Sequence, residues 1–269
     1  MALITISRGS YSYGKAIAEK VAQRLGYECV ARDVLLEASK EFNIPEIKLI
    51  RAIHDAPSIL DRFIYGKEKY ITYIRAALLK HLQKNNVVYH GLAGHFFVRG
   101  VSHVLKVRIV ADMDQRVKLE SEHEGISEGE ALRLLKADDE ERRKWSQQLY
   151  GIDTSDPTLY DLIIHVKKIS VDDAVDIICH TVGLAHFQTT PESQQAMDDL
   201  SLAAEVKAAL VSLKPNIEVS SQNGIVEVKT EALEVQELKL VQEMKRIVET
   251  IQGVKDIKIH VLPIAPFGD

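Results

Sequence analysis

The stretch LITISRGSYSYGKAIAEKVAQRLG, residues 3–26, decides how the rest of the chain is read. LITIS (3–7) is a short β-branched run that breaks into a polar, glycine-containing turn. From Gly14 to Leu25 the apolar residues Ile17, Ala18, Val21, Ala22 and Leu25 recur at helical spacing, and Gly26 is placed to end the helix. The order is strand, loop, helix. Inside the loop, Gly9, Ser10, Tyr11, Ser12, Tyr13, Gly14 and Lys15 fit GxxxxGK. In that arrangement backbone N–H groups and the positive end of a helix surround a phosphate, while a lysine neutralises its outer oxygens. The next position, where a hydroxyl would reach Mg2+, is Ala16. The competing reading is a plain turn with a surface lysine, and the placement between strand and helix favours the phosphate cradle.

Working outward, YECVA (27–31) reads as a second strand, followed by a helix from Asp33 to Glu41. Residues 45–85 are mostly helical with an interruption near Ala56-Pro57. VVYHG (87–91), VLKVRIVA (104–111) and YDLIIHV (160–166) are further strands. Asp112 opens a helix through Glu122, Ser127 and Glu130 have capping-box spacing, and Ser170 caps a helix from Val171 to Val182. Strands alternating with helices predict a parallel sheet covered on both faces.

The composition changes at GLAHFQTTPESQQAM (183–197), which reads as a linker. Domains are therefore expected at 1–183 and 198–269, joined by 184–197. The second should hold a helix (199–213), strands at 217–220 and 225–230, a helix (235–251) and a strand (254–262), with Asn223-Gly224 as a hairpin turn. Its apolar residues Leu233, Val235, Leu238, Leu240, Val241, Met244, Ile247, Val248 and Ile251 are expected in the core.

With 46% hydrophobic and 27% charged residues in 269, the composition is that of a globular protein. No apolar run is long enough to cross a bilayer, and the amino terminus lacks a secretory layout, so a soluble cytoplasmic protein is expected. Two distant cysteines and scattered histidines give no metal-ligand pattern. Residues 191–269 carry 13 acids against 8 bases, and residues 1–190 balance at 26 each. Neither half has the dense basic face that nucleic-acid binding needs, so any anionic ligand must be met by a few positioned bases.

ITISRGSYSYGKAIAEKVAQRLGYECVARDVLLEAS (4–39) resembles the opening of the cytidylate kinase-like branch of P-loop nucleoside monophosphate kinases. ADMDQRVKLE (111–120), DDEERRKW (138–145) and SDPTLYDLIIH (155–165) resemble, in order, its arginine-bearing helix, its mobile lid and the approach to its last core strand. The likeness runs from residue 1 to about 182. It implies an α/β P-loop three-layer sandwich and transfer of the ATP γ-phosphoryl group to CMP or dCMP with Mg2+. Residues Gly9 to Ala16 would bind the nucleotide, with Lys15 on the donor phosphates. Arg116, Arg142 and Arg143 would contact donor or transferring phosphate, and Arg32 with Asp33 would lie near the acceptor. The chain departs from the family pattern at Tyr11 and Tyr13, at Ala31, and at His90-Gly91-Leu92, which lacks an arginine. These departures keep open a catalytically weakened nucleotide sensor, or a scaffold acting through its second domain. That domain, SLAAEVK through KIHVL (201–262), resembles a BON domain, a small α+β module. Its acidity points to a protein partner, self-association or a small ligand in preference to a membrane.

Overall fold

The computed structural model describes residues 2–10, 12–31, 33–43, 64–91 and 94–264. In chain order the first elements are β1 (Leu3–Arg8), α1 (Gly14–Leu25), β2 (Glu28–Val30), α2 (Asp33–Glu41), α3 (Ile64–Leu82), β3 (Val87–His90), α4 (Gly94–Phe97) and β4 (Val104–Ala111). They continue with α5 (Met113–Glu124), α6 (Glu128–Tyr150), β5 (Leu162–Val166), α7 (Val171–Val182), α8 (Pro191–Leu210), β6 (Ile217–Gln222), β7 (Ile225–Ala232), α9 (Glu234–Val248) and β8 (Asp256–Pro263). The described residues form two compact units, one from 2–33 and 84–190, the other from 34–43, 64–83 and 191–264.

The first unit is α/β. Its five strands are all parallel, in the order β2-β3-β1-β4-β5. β1 is central, and residues 3–6 are buried because helices cover a parallel sheet on both faces. Ile4, Ile6, Ile17, Val21, Leu105, Ile109 and Ile178 form the core, each burial worth roughly 1.5–3 kcal/mol. The register pairs Ile6 with His90 and Arg8 with Ile109, so β1 runs two residues past the end of β3 and β4 two residues past the end of β1. Strand order reverses beside β1, and in open α/β sheets ligands bind at that crevice.

α1 buries Gly14, Ile17, Ala18, Val21 and Ala22, the face its periodicity predicts, and stops at Gly26 in the left-handed conformation. At the start of α7, Ser170 accepts from Asp173 N while Asp173 accepts from Ser170 N, a complete capping box. At α6 only Ser127 accepting from Glu130 N is seen. α6 is a single helix of 23 residues that carries DDEERRKW in its interior. The expected break at Ala56-Pro57 lies outside the described residues.

The second unit has its own three-stranded sheet, β6-β7-β8, with β6–β7 antiparallel and β7–β8 parallel. Val206, Leu210, Ile217, Val226, Val228, Met244 and Val248 are its core. α8 begins at Pro191, so the segment expected to link two domains is partly helical. Proline suits the first turn of a helix, and Ser193 and Met197 are buried on it. α9 differs from expectation at its start, where Val235 and Leu238 are 91% and 80% exposed, while Met244 and Val248 are buried. Asn223 and Gly224 make the hairpin turn with φ of 53° and 85°. Asp199 accepts from the backbone N–H groups of both and from Ser221 Oγ. Among the described residues no helix is long and apolar enough to cross a membrane.

Replacing Ser170 with alanine should cost about 1 kcal/mol, read as a fall in melting temperature of about 2–4 °C. A Cβ at Gly224 would stand 2.8 Å from Gly253 O at a positive φ. Gly224→Ala should therefore destabilise the hairpin by about 1–2 kcal/mol, seen as lost hydrogen-exchange protection across β6 and β7, with α7 unaffected.

Candidate functional site

A cavity of about 280 Å³ opens at the carboxyl ends of β1 and β4. Ser7, Arg8, Gly9 and Ser12 form one wall, Arg108 to Ala111 another, and Arg116, Asp139, Arg142 and Arg143 a third. Gly91, His95 and Phe96 also line it, as do Ser146 and Asp153 to Ser155. Five arginines against two aspartates leave a formal charge of +3 around a confined space. Such a space attracts an anion, and low polarisability strengthens the attraction.

The loop is held by arginines. Arg116, on α5, is 7% exposed. Its Nε donates to Ser10 O at 2.8 Å, and its two terminal nitrogens fork onto Asp139 at 2.7 and 2.8 Å. Arg142, on α6, donates to Arg8 O at 3.1 Å and to Ser10 Oγ at 2.8 Å, and Ser10 Oγ in turn donates to Asp138 at 2.9 Å. Ser12 Oγ closes the turn on Gly9 O at 2.9 Å. Gly9 lies close under the Arg116 guanidinium: a Cβ there would stand 3.2 Å from it, so Arg116 would have to give by a few tenths of an ångström. Burial lowers the pKa of Arg142 against the raising influence of Asp138 and Asp139. Arg143 is more than half exposed, forks onto Glu140 at 3.0 Å, and has its pKa raised by that pairing.

Arg116 and Arg142 thus meet at the loop, with Gly9, Ser10 and Ser12, and Arg143 lines the same cavity while paired to Glu140. Lys15 does not join them. Its side chain is 68% exposed and lies 3.8 Å from Glu19 one turn on, away from the cavity-lining residues. Ala16 is exposed beside it. Tyr13 has φ 65° and packs against the core of the first unit. Gly14 is buried. Asp33 opens α2, and Tyr11, Arg32 and Leu92 lie outside the described residues.

Sequence reasoning missed Arg8, Arg108, His95 and Tyr160. Arg108 donates to Thr154 O and to Tyr160 OH, the latter at 3.1 Å, and stacks on the Tyr160 ring at 5.4 Å. Tyr160 OH donates to Thr154 O at 2.9 Å and stands 3.4 Å from His95 Nε2. Burial first, then the charges of Arg108, Arg99 and Lys106, pull the His95 pKa down to about 3. Arg8 carried a partial signal, as a charge at the carboxyl end of the first strand, where open α/β sheets bind ligands. Among the described residues no group of three or more His, Cys, Asp or Glu is placed to hold a metal ion.

Known proteins give this geometry a context. A cytidylate kinase of Archaeoglobus fulgidus is 30% identical over 184 residues, 66% of this chain and 93% of its own. One of Pyrococcus horikoshii is 27% identical over 179 residues, 65% of this chain and 85% of its own. A crystal structure of an uncharacterized protein from Eubacterium ventriosum shares the fold, with a TM-score of 0.50 at 21% identity over 68% of this chain and 98% of that one. Residues 3–168 match the cytidylate kinase-like family, and with more than half of its length in that match the chain belongs to this kinase-like, nucleotide-binding family.

Proposed function

We propose that the chain transfers the γ-phosphoryl group of ATP to CMP or dCMP. The observation that carries this reading is the convergence of Arg116 and Arg142 on the loop between β1 and α1, inside one cavity that Arg143, Arg8 and Arg108 also line. Phosphoryl transfer asks a protein mainly for positioning and for charge placed where the transferring group becomes anionic. Donor phosphates lie along residues 9–14, the arginines of α5 and α6 face the group in transit, and Arg32 and Asp33 serve the acceptor. Mg2+ that arrives with ATP would be held chiefly by phosphate oxygens and water, and would supply charge neutralisation on the transferring group. Of the two carboxylates lining the cavity, Asp139 is forked by Arg116, whereas Asp153 accepts from Ser155 N within its own turn and is the ligand the chain offers.

A second reading is a nucleotide sensor with little turnover that signals through the BON-like module. It is favoured by the outward Lys15 and by Ala16 in place of a hydroxyl. An assay of ADP release with CMP, dCMP, UMP and AMP separates the two. Turnover with CMP and dCMP is expected, and Arg143→Ala, at an exposed position, should lower kcat about tenfold or more. ATP binding with no ADP from any acceptor would leave the sensor and sink the kinase.

His95 gives a pH prediction. An unfolded histidine binds a proton below about 6.5, whereas folded His95 stays neutral down to about 3. The unfolded state therefore holds more protons in that window, and stability should fall as pH drops from 6.5 towards 3. His95→Gln should flatten this slope in denaturation midpoints measured across the window. It should leave any limb of the kcat profile above pH 6 unmoved.

A further inference from the structure

Lys15 and Arg8 stand on either side of the glycine that precedes the first helix's second residue, and only one of them faces the cavity. Lys15 shares the exposed face of α1 with Ala16 and Glu19. Arg8 is the last residue of β1, the central strand, and lines the cavity beside Gly9 and Arg142. Its Nε is shielded from solvent and meets no acceptor among the described residues. We propose that Arg8, and not Lys15, is the cation that binds the donor polyphosphate in this loop.

Gly14 explains why the arginine can be there. A Cβ at Gly14 would come within 2.4 Å of Arg8 Cδ and 2.7 Å of Arg8 Cβ, so the aliphatic stem of Arg8 occupies the space a side chain at 14 would need. The glycine of the GK pair thus makes room for an arginine on the preceding strand. The guanidinium so placed has Arg142 as its neighbour, and Arg142 also holds the Arg8 carbonyl at 3.1 Å. Burial, together with the charge of Arg142, lowers the Arg8 pKa. Two like charges in one desolvated space repel, and a polyanion between them removes that cost. Arginine suits the task because its planar fork gives two parallel hydrogen bonds to phosphate oxygens, where an ammonium gives a point charge. A strand residue at the centre of a sheet also fixes that fork more rigidly than a four-carbon stem on a helix surface.

The inference rests on the kinase reading only for the identity of its ligand, a polyphosphate. The test is calorimetric titration of the full chain with inorganic tripolyphosphate and with ATP, comparing wild type with Arg8→Gln, Arg8→Lys, Gly14→Ala and Lys15→Ala. Thermal melts check that each variant is folded. Arg8→Gln should weaken tripolyphosphate binding about tenfold or more, Arg8→Lys less, and Lys15→Ala at most about threefold. Gly14→Ala should resemble Arg8→Gln, because it displaces the arginine while keeping it in the sequence. If Arg8→Gln does not fold, Arg8→Lys must still lose more than Lys15→Ala. A tenfold loss in Lys15→Ala with Arg8→Lys intact would overturn the proposal, as would a wild-type chain that holds no tripolyphosphate. Tripolyphosphate held through Arg8 without turnover of CMP or dCMP would sink the kinase reading and leave this one standing. Full turnover in Arg8→Gln would do the reverse.

Discussion

A guanidinium almost wholly out of water has to be paired, and Arg116 meets that requirement with the loop itself. One nitrogen takes Ser10 O and two fork onto Asp139. Breaking a fully buried pair costs about 3–5 kcal/mol, and less where one partner is partly solvated. Asp139 keeps 36% of its side chain exposed, so the lower end applies. The same bonds satisfy a loop carbonyl that would otherwise compete for the ligand's surroundings. In a trans peptide the following N–H points the opposite way, so the arginine that holds the carbonyl of Arg8 also sets the direction of the Gly9 amide. Loop conformation and charge placement are thus one arrangement, built from β1, α5 and α6 together.

The arrangement is electrostatically unfinished. Asp138 and Asp139 neutralise part of the arginine charge, but they do so on the side of the loop already bonded to Ser10 and Arg116. Arg8 and Arg142 remain as neighbours in a desolvated space, with both pKa values lowered by burial. On the opposite wall, Arg108 is tied to Thr154 and Tyr160, and His95 is kept neutral. The net charge of the cavity is therefore set by its arginines and aspartates with no share from His95 over the ordinary pH range, and an anion is the component that balances it.

The first strand, loop and helix were legible because their signals are local: β-branched alternation, a glycine pair, a 3.6-residue period. The same holds for the Asn223-Gly224 hairpin and for Ser170, whose capping partner is three residues away. The start of α8 was not legible. Thr, Pro, Ser and Gln between 183 and 197 look like a linker, and only the tertiary burial of Ser193 and Met197 shows the helix. Val235 and Leu238 fit the apolar period of α9, yet they lie in its first two turns, beyond the cluster formed by Met244 and Val248. In the site, Arg116, Arg142 and Arg143 could be placed by family resemblance. Arg8 had only its place at a strand end to mark it, and Arg108, in the middle of β4, had nothing, because what brings it into the site is strand register: Ser7 pairs with Arg108 and Arg8 with Ile109. Register is a long-range property that a motif does not encode.

Chain order also conceals how the second unit is closed. α2 and α3 fall between β2 and β3 in sequence, yet their partners come partly from residues far beyond β5. Phe42 stacks on Tyr73 at 4.5 Å, Tyr73 OH pairs with Ser212 Oγ at 3.0 Å, and Gln83 donates to Asp198 at 3.1 Å. Lys80 meets Glu41 at 2.6 Å, and Glu205 has its pKa raised by burial, then lowered in part by Lys80. These contacts join an excursion of the first half of the chain to the carboxy-terminal α+β module in a single compact unit. The consequence is thermodynamic: anything that binds or unfolds the module must change the stability of α3, because the two share side-chain partners.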